Sequence, residues 1–284
     1  MLKSTKKTLN CRGRLVDLTR PAVMGILNVT PDSFYAGSRL GTDADHTERV
    51  LARAGQMLAD GATFLDIGGY STRPGAPDVS PAEEADRVLP AIDAIRRAYP
   101  DALLSVDTFR ASVARQAVEA GAHLINDVAG GTLDDAMFAT VAALRVPYVL
   151  MHLRGTPRTM QSLATYTDVV TDVIDELNRQ RTRLRSLGVT DILLDPGFGF
   201  AKTVAQNFTL LQSLAAFTLF DEPLLVGLSR KSTIWRTLNS TPEQALNGTT
   251  VLHTAALLNG AALLRVHDVR EATEAITLVS FLTK

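Results

Sequence analysis

Arg265 and His267 flank Val266 at the end of an apolar run. Alternate residues of an extended segment share a face, so these two potential cations point the same way and suit an anion. Other polar residues end short apolar runs in the same manner: Asn28, Asp66, Asp107, Asn126, His152, Asp195 and Ser229. One polar residue at the end of a buried strand is ordinary, because the chain leaves the core there. Caps and loop hydrogen bonds account for Asp66 and Ser229. They strain to account for a polar group on every run, and such a ring suits a polar small molecule.

The elements that must position this ring follow from periodicity. Apolar runs at Val23–Val29, Phe64–Gly68, Leu103–Thr108, Leu124–Val128, Tyr148–His152, Ile192–Asp195, Leu224–Leu228 and Leu263–His267 read as strands buried on both faces. Between them, segments near 45–59, 82–98, 111–120, 134–144, 168–187, 204–215, 242–258 and 269–282 carry apolar residues at three- and four-residue spacing, as amphipathic helices do. Glycine turns at Gly61, Gly121 and Gly260 lead into three of the strands, in the manner of a helix C-cap. The alternation predicts an α/β fold, a (β/α)8 TIM barrel forming a single domain over residues 1–284. Residues near 9–20 supply a short N-terminal hairpin at its bottom. A doubly wound sheet is the alternative, but the chain has no glycine fingerprint to support it. Functional groups in such barrels come from the C-terminal ends of strands, where the polar ring stands.

Composition narrows the class further. Lys+Arg 29 against Asp+Glu 30 gives a net charge of -1, without the basic excess that phosphate-backbone binding needs, so no nucleic acid partner is expected. Cys11 is the single cysteine, a bystander that cannot form an internal disulfide. The N-terminal residues lack the apolar stretch of a signal peptide. The most apolar segment, Ala255–Leu264, is broken by Asn259-Gly260 and is too short to span a bilayer. The expectation is a cytoplasmic protein with no membrane partner.

Four longer motifs carry a resemblance: Asn28-Val29-Thr30-Pro31-Asp32-Ser33-Phe34, Asp66-Ile67-Gly68-Gly69-Tyr70-Ser71-Thr72-Arg73-Pro74-Gly75, Asp195-Pro196-Gly197-Phe198-Gly199-Phe200 and Ser229-Arg230-Lys231-Ser232. With Ser105-Val106-Asp107-Thr108, Ile125-Asn126-Asp127, Met151-His152 and Arg265-Val266-His267-Asp268, the matches fall in order on all eight runs. Any one block occurs by chance; the ordered set resembles the dihydropteroate synthase (pterin-binding) family.

That resemblance implies a transferase of folate biosynthesis. It joins 6-hydroxymethyl-7,8-dihydropterin diphosphate to p-aminobenzoate, with sulfonamides as competitors. It implies a pterin site of Asp107, Asn126, Asp195 and Lys231, in which a carboxylate accepts two adjacent N–H donors of the pterin edge. The diphosphate is expected at Asn28, Thr72, Arg265 and His267, with Mg²⁺ held at Asn28 and keeping its waters. The p-aminobenzoate site is expected from Phe34, Thr72, Arg73, Pro74, Phe200, Lys231 and Ser232. Asp107, Lys231, Arg265 and His267 are the expected catalytic groups: C–O cleavage needs positive charge where diphosphate departs, and Asp107 steadies a cationic pterin. No activated protein nucleophile is required. Taken singly, Asp107 also reads as a rim cap and Lys231 as a solvated helix-start cation. The family further implies a homodimer through helical surfaces late in the chain.

The chain departs from the family's pattern at Tyr35 and Ala36, where an acidic run is common, at Tyr70 in place of glutamate and at Arg154 in place of glutamine. These touch loop closure rather than the central set. Two rivals are a barrel transferring methyl from methyltetrahydrofolate to a corrinoid, which shares the pterin carboxylates but needs no diphosphate set, and a non-catalytic pterin-binding paralogue. Arg265, His267 and Lys231 together favour the synthase over the first, and intact Asn28, Thr72 and Lys231 argue against the second.

Overall fold

Strands apolar on both faces need cover on both, and the chain provides it by alternating them with helices. The computed structural model describes residues 7–30, 43–71 and 78–282. Thr8–Cys11 (β1) and Arg14–Asp17 (β2) pair antiparallel as a hairpin. The next strands are Ala22–Asn28 (β3), Phe64–Gly68 (β4), Leu103–Asp107 (β5), Leu124–Asp127 (β6), Tyr148–Met151 (β7), Ile192–Asp195 (β8), Leu224–Val226 (β9) and Ala261–Val266 (β10). They form a closed parallel barrel in chain order, completed by pairing of β10 with β3. The helices are Asp43–Ala59 (α1), Pro81–Ala98 (α2), Ala111–Ala120 (α3), Met137–Leu144 (α4), Val169–Ser186 (α5), Val204–Gln212 (α6), Ser232–Thr237 (α7), Leu246–Leu258 (α8) and Val269–Leu282 (α9).

The barrel interior is layered by the two-residue period of its strands. Its lowest layer takes one apolar side chain from each strand: Met24, Phe64, Leu103, Leu124, Val149, Leu193, Leu225 and Leu263. Leu9, Cys11, Val16 and Leu18 of the hairpin region pack into the same cluster and seal it from below. Burial pushes the Cys11 thiol up to about 12, which leaves it unreactive, as its bystander role requires. Two residues further along four of these strands, the same inward period brings Asp66, Asn126, Asp195 and Arg265, so a polar layer lies on an apolar floor.

One expected helix differs. Residues 242–258 read as continuous, but α8 begins at Leu246 and a separate short helix, α7, precedes it. The carbonyls of Pro242 and Glu243, which would serve a first helical turn, accept from the Arg230 guanidinium at 2.9 and 2.8 Å, and Pro242 also accepts the Ala245 amide in a tight turn at 3.3 Å. Arg230 is anchored by a bidentate pair with Asp268, at 2.8 and 2.9 Å. The α4 segment also starts late, at Met137 rather than 134, because Asp134 Oδ2 is engaged by the Ala111 amide at 2.7 Å.

Candidate active site

The polar layer is organised around Arg265. Its Nε donates to Asp66 Oδ2 at 2.6 Å, and a terminal nitrogen donates to Asp107 Oδ2 at 2.5 Å. Asn126 donates Nδ2 to the same Asp66 oxygen at 2.9 Å. A carboxylate only accepts, so this contact fixes the amide orientation and leaves the Asn126 carbonyl free to face a ligand. Asp66 is fully buried. Its expected role as a cap or loop tie is therefore corrected: it is the shared acceptor that holds Arg265 and Asn126 in register. Ser229 does keep the loop role, accepting the His267 amide at 3.1 Å.

Gly68 leaves room for two of the expected ligands. A Cβ there would stand 3.5 Å from Asn28 Oδ1 and 3.5 Å from Asp107 Cβ. The β3, β4 and β5 ends thus bring Asn28 and Asp107 to either side of one glycine. Burial pushes the Asp107 carboxyl up to about 7, against the pull of Arg265 and with added repulsion from Asp66.

Across the rim, Asp195 ends β8 and accepts the Gly197 amide at 2.7 Å on Oδ1. Burial raises its carboxyl while the Lys231 charge lowers it. Lys231 stands at the N-cap position of α7, as its helix-start reading expected, but it is half-buried rather than solvated. Its ammonium donates to the Phe198 carbonyl and lies 4.2 Å from the centre of the Phe200 ring. Burial lowers it to about 8, with Asp195 acting against the shift. Ser232, the first residue of α7, is half-buried beside it. His267 follows β10 and gives its carbonyl to Arg53 at 2.8 Å.

The structure therefore brings together Asn28, Asp107, Asn126, Asp195, Phe200, Lys231, Ser232, Arg265 and His267 at the C-terminal rim. Phe34, Thr72, Arg73 and Pro74, with the departures Tyr35 and Ala36, lie outside the described residues. The other two departures have clear surroundings. Tyr70 meets Phe109 edge-on at 5.1 Å, and the Arg110 guanidinium lies over both rings at 5.2 and 5.1 Å. Arg110 also donates to the Val79 carbonyl, so it ties both ends of the second loop. Arg154 stacks on Tyr166 at 3.9 Å and pairs with Glu176 and Asp172. Missed from the sequence were Asp66 as a site residue and Lys202, a buried lysine beside Asp195. Its place directly after the Asp195–Phe200 motif was the one available signal.

Among the described residues, no cluster of three or more His, Cys, Asp or Glu could hold a metal ion.

Comparison with known proteins agrees with this geometry. The family described as "Pterin binding enzyme" matches residues 24–267. The dihydropteroate synthase of Escherichia coli K12 is 42% identical over 273 residues, 95% of this chain and 95% of that protein. The solved structure of Xanthomonas albilineans dihydropteroate synthase with 4-aminobenzoic acid superposes with a TM-score of 0.90 at 41% identity, covering 98% of this chain and 99% of that one. The Yersinia pestis dihydropteroate synthase in complex with a sulfonamide drug gives 0.88 at 43% identity, over 97% and 99%. With an eight-stranded barrel, a polar rim and identity of this extent, the chain belongs to the pterin-binding enzymes and, among them, to the dihydropteroate synthases.

Proposed function

We propose that this rim joins 6-hydroxymethyl-7,8-dihydropterin diphosphate to p-aminobenzoate, giving 7,8-dihydropteroate and diphosphate. As a member of its family the chain is a transferase of folate biosynthesis. The observation that carries the residue roles is the convergence of Asp107, Asn126 and Asp195 with Arg265 and Lys231 above one apolar floor.

Asp195 accepts the adjacent N–H donors of the pterin's aminopyrimidinone edge, and its Gly197 contact fixes the plane in which it does so. Asn126 offers its carbonyl, and Lys231 donates to pterin acceptors from the border of the p-aminobenzoate site. Arg265, His267 and Asn28 receive the diphosphate. As the C–O bond breaks, its electron pair leaves with diphosphate, and the guanidinium stabilises the growing charge. Ionised Asp107 steadies the pterin-methyl cation. The aniline nitrogen then forms the C–N bond and loses a proton. Phe200 and Ser232, with Phe34, Thr72, Arg73 and Pro74 from the two loops, shape the aniline site and exclude water.

Asn28 fits Mg²⁺ as a single neutral oxygen donor, because this ion keeps several waters and draws its remaining ligands from phosphate. When bound, Mg²⁺ supplies positive charge to the leaving diphosphate. Sulfonamides compete at the aniline site. The chain acts as one cytoplasmic domain and as a homodimer. The apolar side chains Val251, Leu258, Leu278 and Phe281, exposed on α8 and α9, support that pairing. The deciding experiment is a product assay with purified protein, both substrates and Mg²⁺. Formation of dihydropteroate is expected; its absence, with methyl transfer to a corrinoid instead, overturns the reading.

A further inference from the structure

Lys202 lies on the loop after β8, is only 4% exposed, and has no part in the reaction above. Its Nζ has three neighbours at hydrogen-bond distance: His152 Nδ1 at 3.0 Å, the Gly197 carbonyl at 2.9 Å and the Phe200 carbonyl at 3.0 Å. The carbonyls only accept. The imidazole's role is set on its far side, where Nε2 lies 2.9 Å from Glu176 Oε2 on α5. Burial and the Lys202 charge push His152 down to about 4. Glu176 sits at about 2, held there by His152 and Arg154 against the effect of its burial. The ring is thus neutral with its proton on Nε2, and Nδ1 accepts. All three partners of Lys202 are acceptors, and an ammonium has three N–H donors to match them. Burial lowers Lys202 to about 7, and the Asp195 charge acts against that shift in favour of the ammonium.

The loop so held is the one that orients the pterin-facing groups. Gly197 gives its N–H to Asp195 and its carbonyl to Lys202. Phe198 gives its carbonyl to Lys231. Phe200 offers its ring to Lys231 and its carbonyl to Lys202. The chain makes these turns through Gly197, Gly199 and Ala201, at φ +72°, +80° and +49°. Ala201 has no glycine's freedom in that region, so the conformation depends on bonds from outside the loop. A Cβ on Gly197 would meet the His152 carbonyl at 2.1 Å, which shows how closely the loop is pressed to the end of β7.

We propose that Lys202 is a positioning residue of the pterin site. Held by His152 and Glu176, its ammonium pins the 196–202 loop and thereby sets where the Asp195 carboxylate and the Lys231 ammonium stand. Arg154 extends the chain of contacts outward by pairing with Glu176. The inference rests on the reading that Asp195 takes the pterin edge.

The test is Lys202→Met, which keeps length and packing but has no donors. Two dissociation constants are measured: 6-hydroxymethylpterin, and inorganic pyrophosphate with Mg²⁺. Pterin affinity is expected to fall tenfold or more and pyrophosphate affinity to stay within threefold, because Asn28, Arg265 and His267 stand on β3 and at the end of β10, outside this loop. His152→Leu changes no charge and should weaken pterin at least threefold. His152→Asn, whose amide oxygen stands near the position of Nδ1, should restore it to within twofold. These two variants carry the test if Lys202→Met does not fold. A lowered melting temperature with unchanged pterin affinity, or equal losses for both ligands, overturns the proposal. Asp195→Asn is the control: if it binds pterin normally, the reading of Asp195 fails. If it binds weakly while Lys202→Met and His152→Leu bind normally, only the role of Lys202 fails.

Discussion

Arg265 and Asp66 form a 2.6 Å ion pair between residues 199 positions apart, and the Asp66 side chain is wholly buried. The guanidinium is therefore already partnered before an anion reaches the rim, and its approach angle is fixed in advance. Asp66→Asn keeps one oxygen for both donors but removes the negative charge that pairs with Arg265 and sets an N–H at the buried Oδ1 position. A charge-assisted hydrogen bond contributes about 1.5–3 kcal/mol, so kcat/KM should fall by roughly one to two orders of magnitude. Unchanged kinetics in the folded variant would remove Asp66 from the site.

Pterin recognition is tested at Asp195. Asp195→Asn exchanges a charged acceptor for a neutral amide and should weaken pterin binding by about 1.5–3 kcal/mol, with little change in melting temperature. Calorimetric titration of a pterin checks it, and equal affinity would exclude Asp195 as the reader.

For the anion pocket, His267→Ala and Arg265→Ala should weaken pyrophosphate and substrate diphosphate far more than a pterin without phosphates. Comparable losses for all three ligands would count against the assignment. The two variants should also differ in stability. Arg265→Ala leaves the Asp66 and Asp107 carboxylates without their cation, and breaking a buried pair costs about 3–5 kcal/mol. Its thermal midpoint should drop well below that of His267→Ala.

Activity should follow a bell against pH. Asp107 must be ionised to steady a cation, and with its carboxyl raised to about 7, kcat/KM falls on the acid side of neutrality. Lys231 must be protonated, and with its ammonium lowered to about 8, the basic limb lies just above. Lys231→Arg should erase the basic limb, since a guanidinium does not titrate there. Persistence of that limb at the same pH would assign it elsewhere. Stability has a separate signature. His152 is depressed from 6.5 to about 4, so its contribution is complete above 6.5 and is lost as pH falls towards 4. Between those values His152→Asn should lose less of its melting temperature than the parent.

Ligand order supplies a fifth expectation. Asn28 begins the first loop and Arg73 lies on the second, so diphosphate and Mg²⁺ at the rim should organise the aniline site before p-aminobenzoate or a sulfonamide binds. The coupling should be about 1–3 kcal/mol, nearer the lower figure because Ala36 replaces the usual covering acid. A labelled sulfonamide titrated with and without pyrophosphate plus Mg²⁺ measures it. Equal affinity in the two titrations would refute ordered binding.

What could be read from the residues alone follows from how each contact is built. The strands were legible because burial on both faces demands unbroken apolar runs, and the rim was legible because each run ends in a polar residue. Lys231 and Phe200 were singled out by their motifs, and the structure sets them side by side. Asp66 was misjudged because its meaning lies in Arg265 and Asn126, which reach it only when the barrel closes. Lys202 was missed for the same reason: His152, 50 positions earlier, gives it its purpose. The break before α8 escaped notice because long-range bonds from Arg230 override a local helical pattern.

Closure of the barrel by β10 against β3 has a consequence for synthesis on the ribosome. β3 emerges early, yet the hydrogen-bonding edge it will share with β10 has no partner until residues 261–266 have left the exit tunnel. For most of translation the nascent sheet is open, with an apolar edge of the kind that recruits other strands or chaperones. Arg265 lies on that last strand, so the event that removes the edge also delivers the guanidinium to Asp66 and Asp107. A chain stalled before residue 261 lacks the strand that closes the barrel and, with it, the guanidinium of the anion pocket.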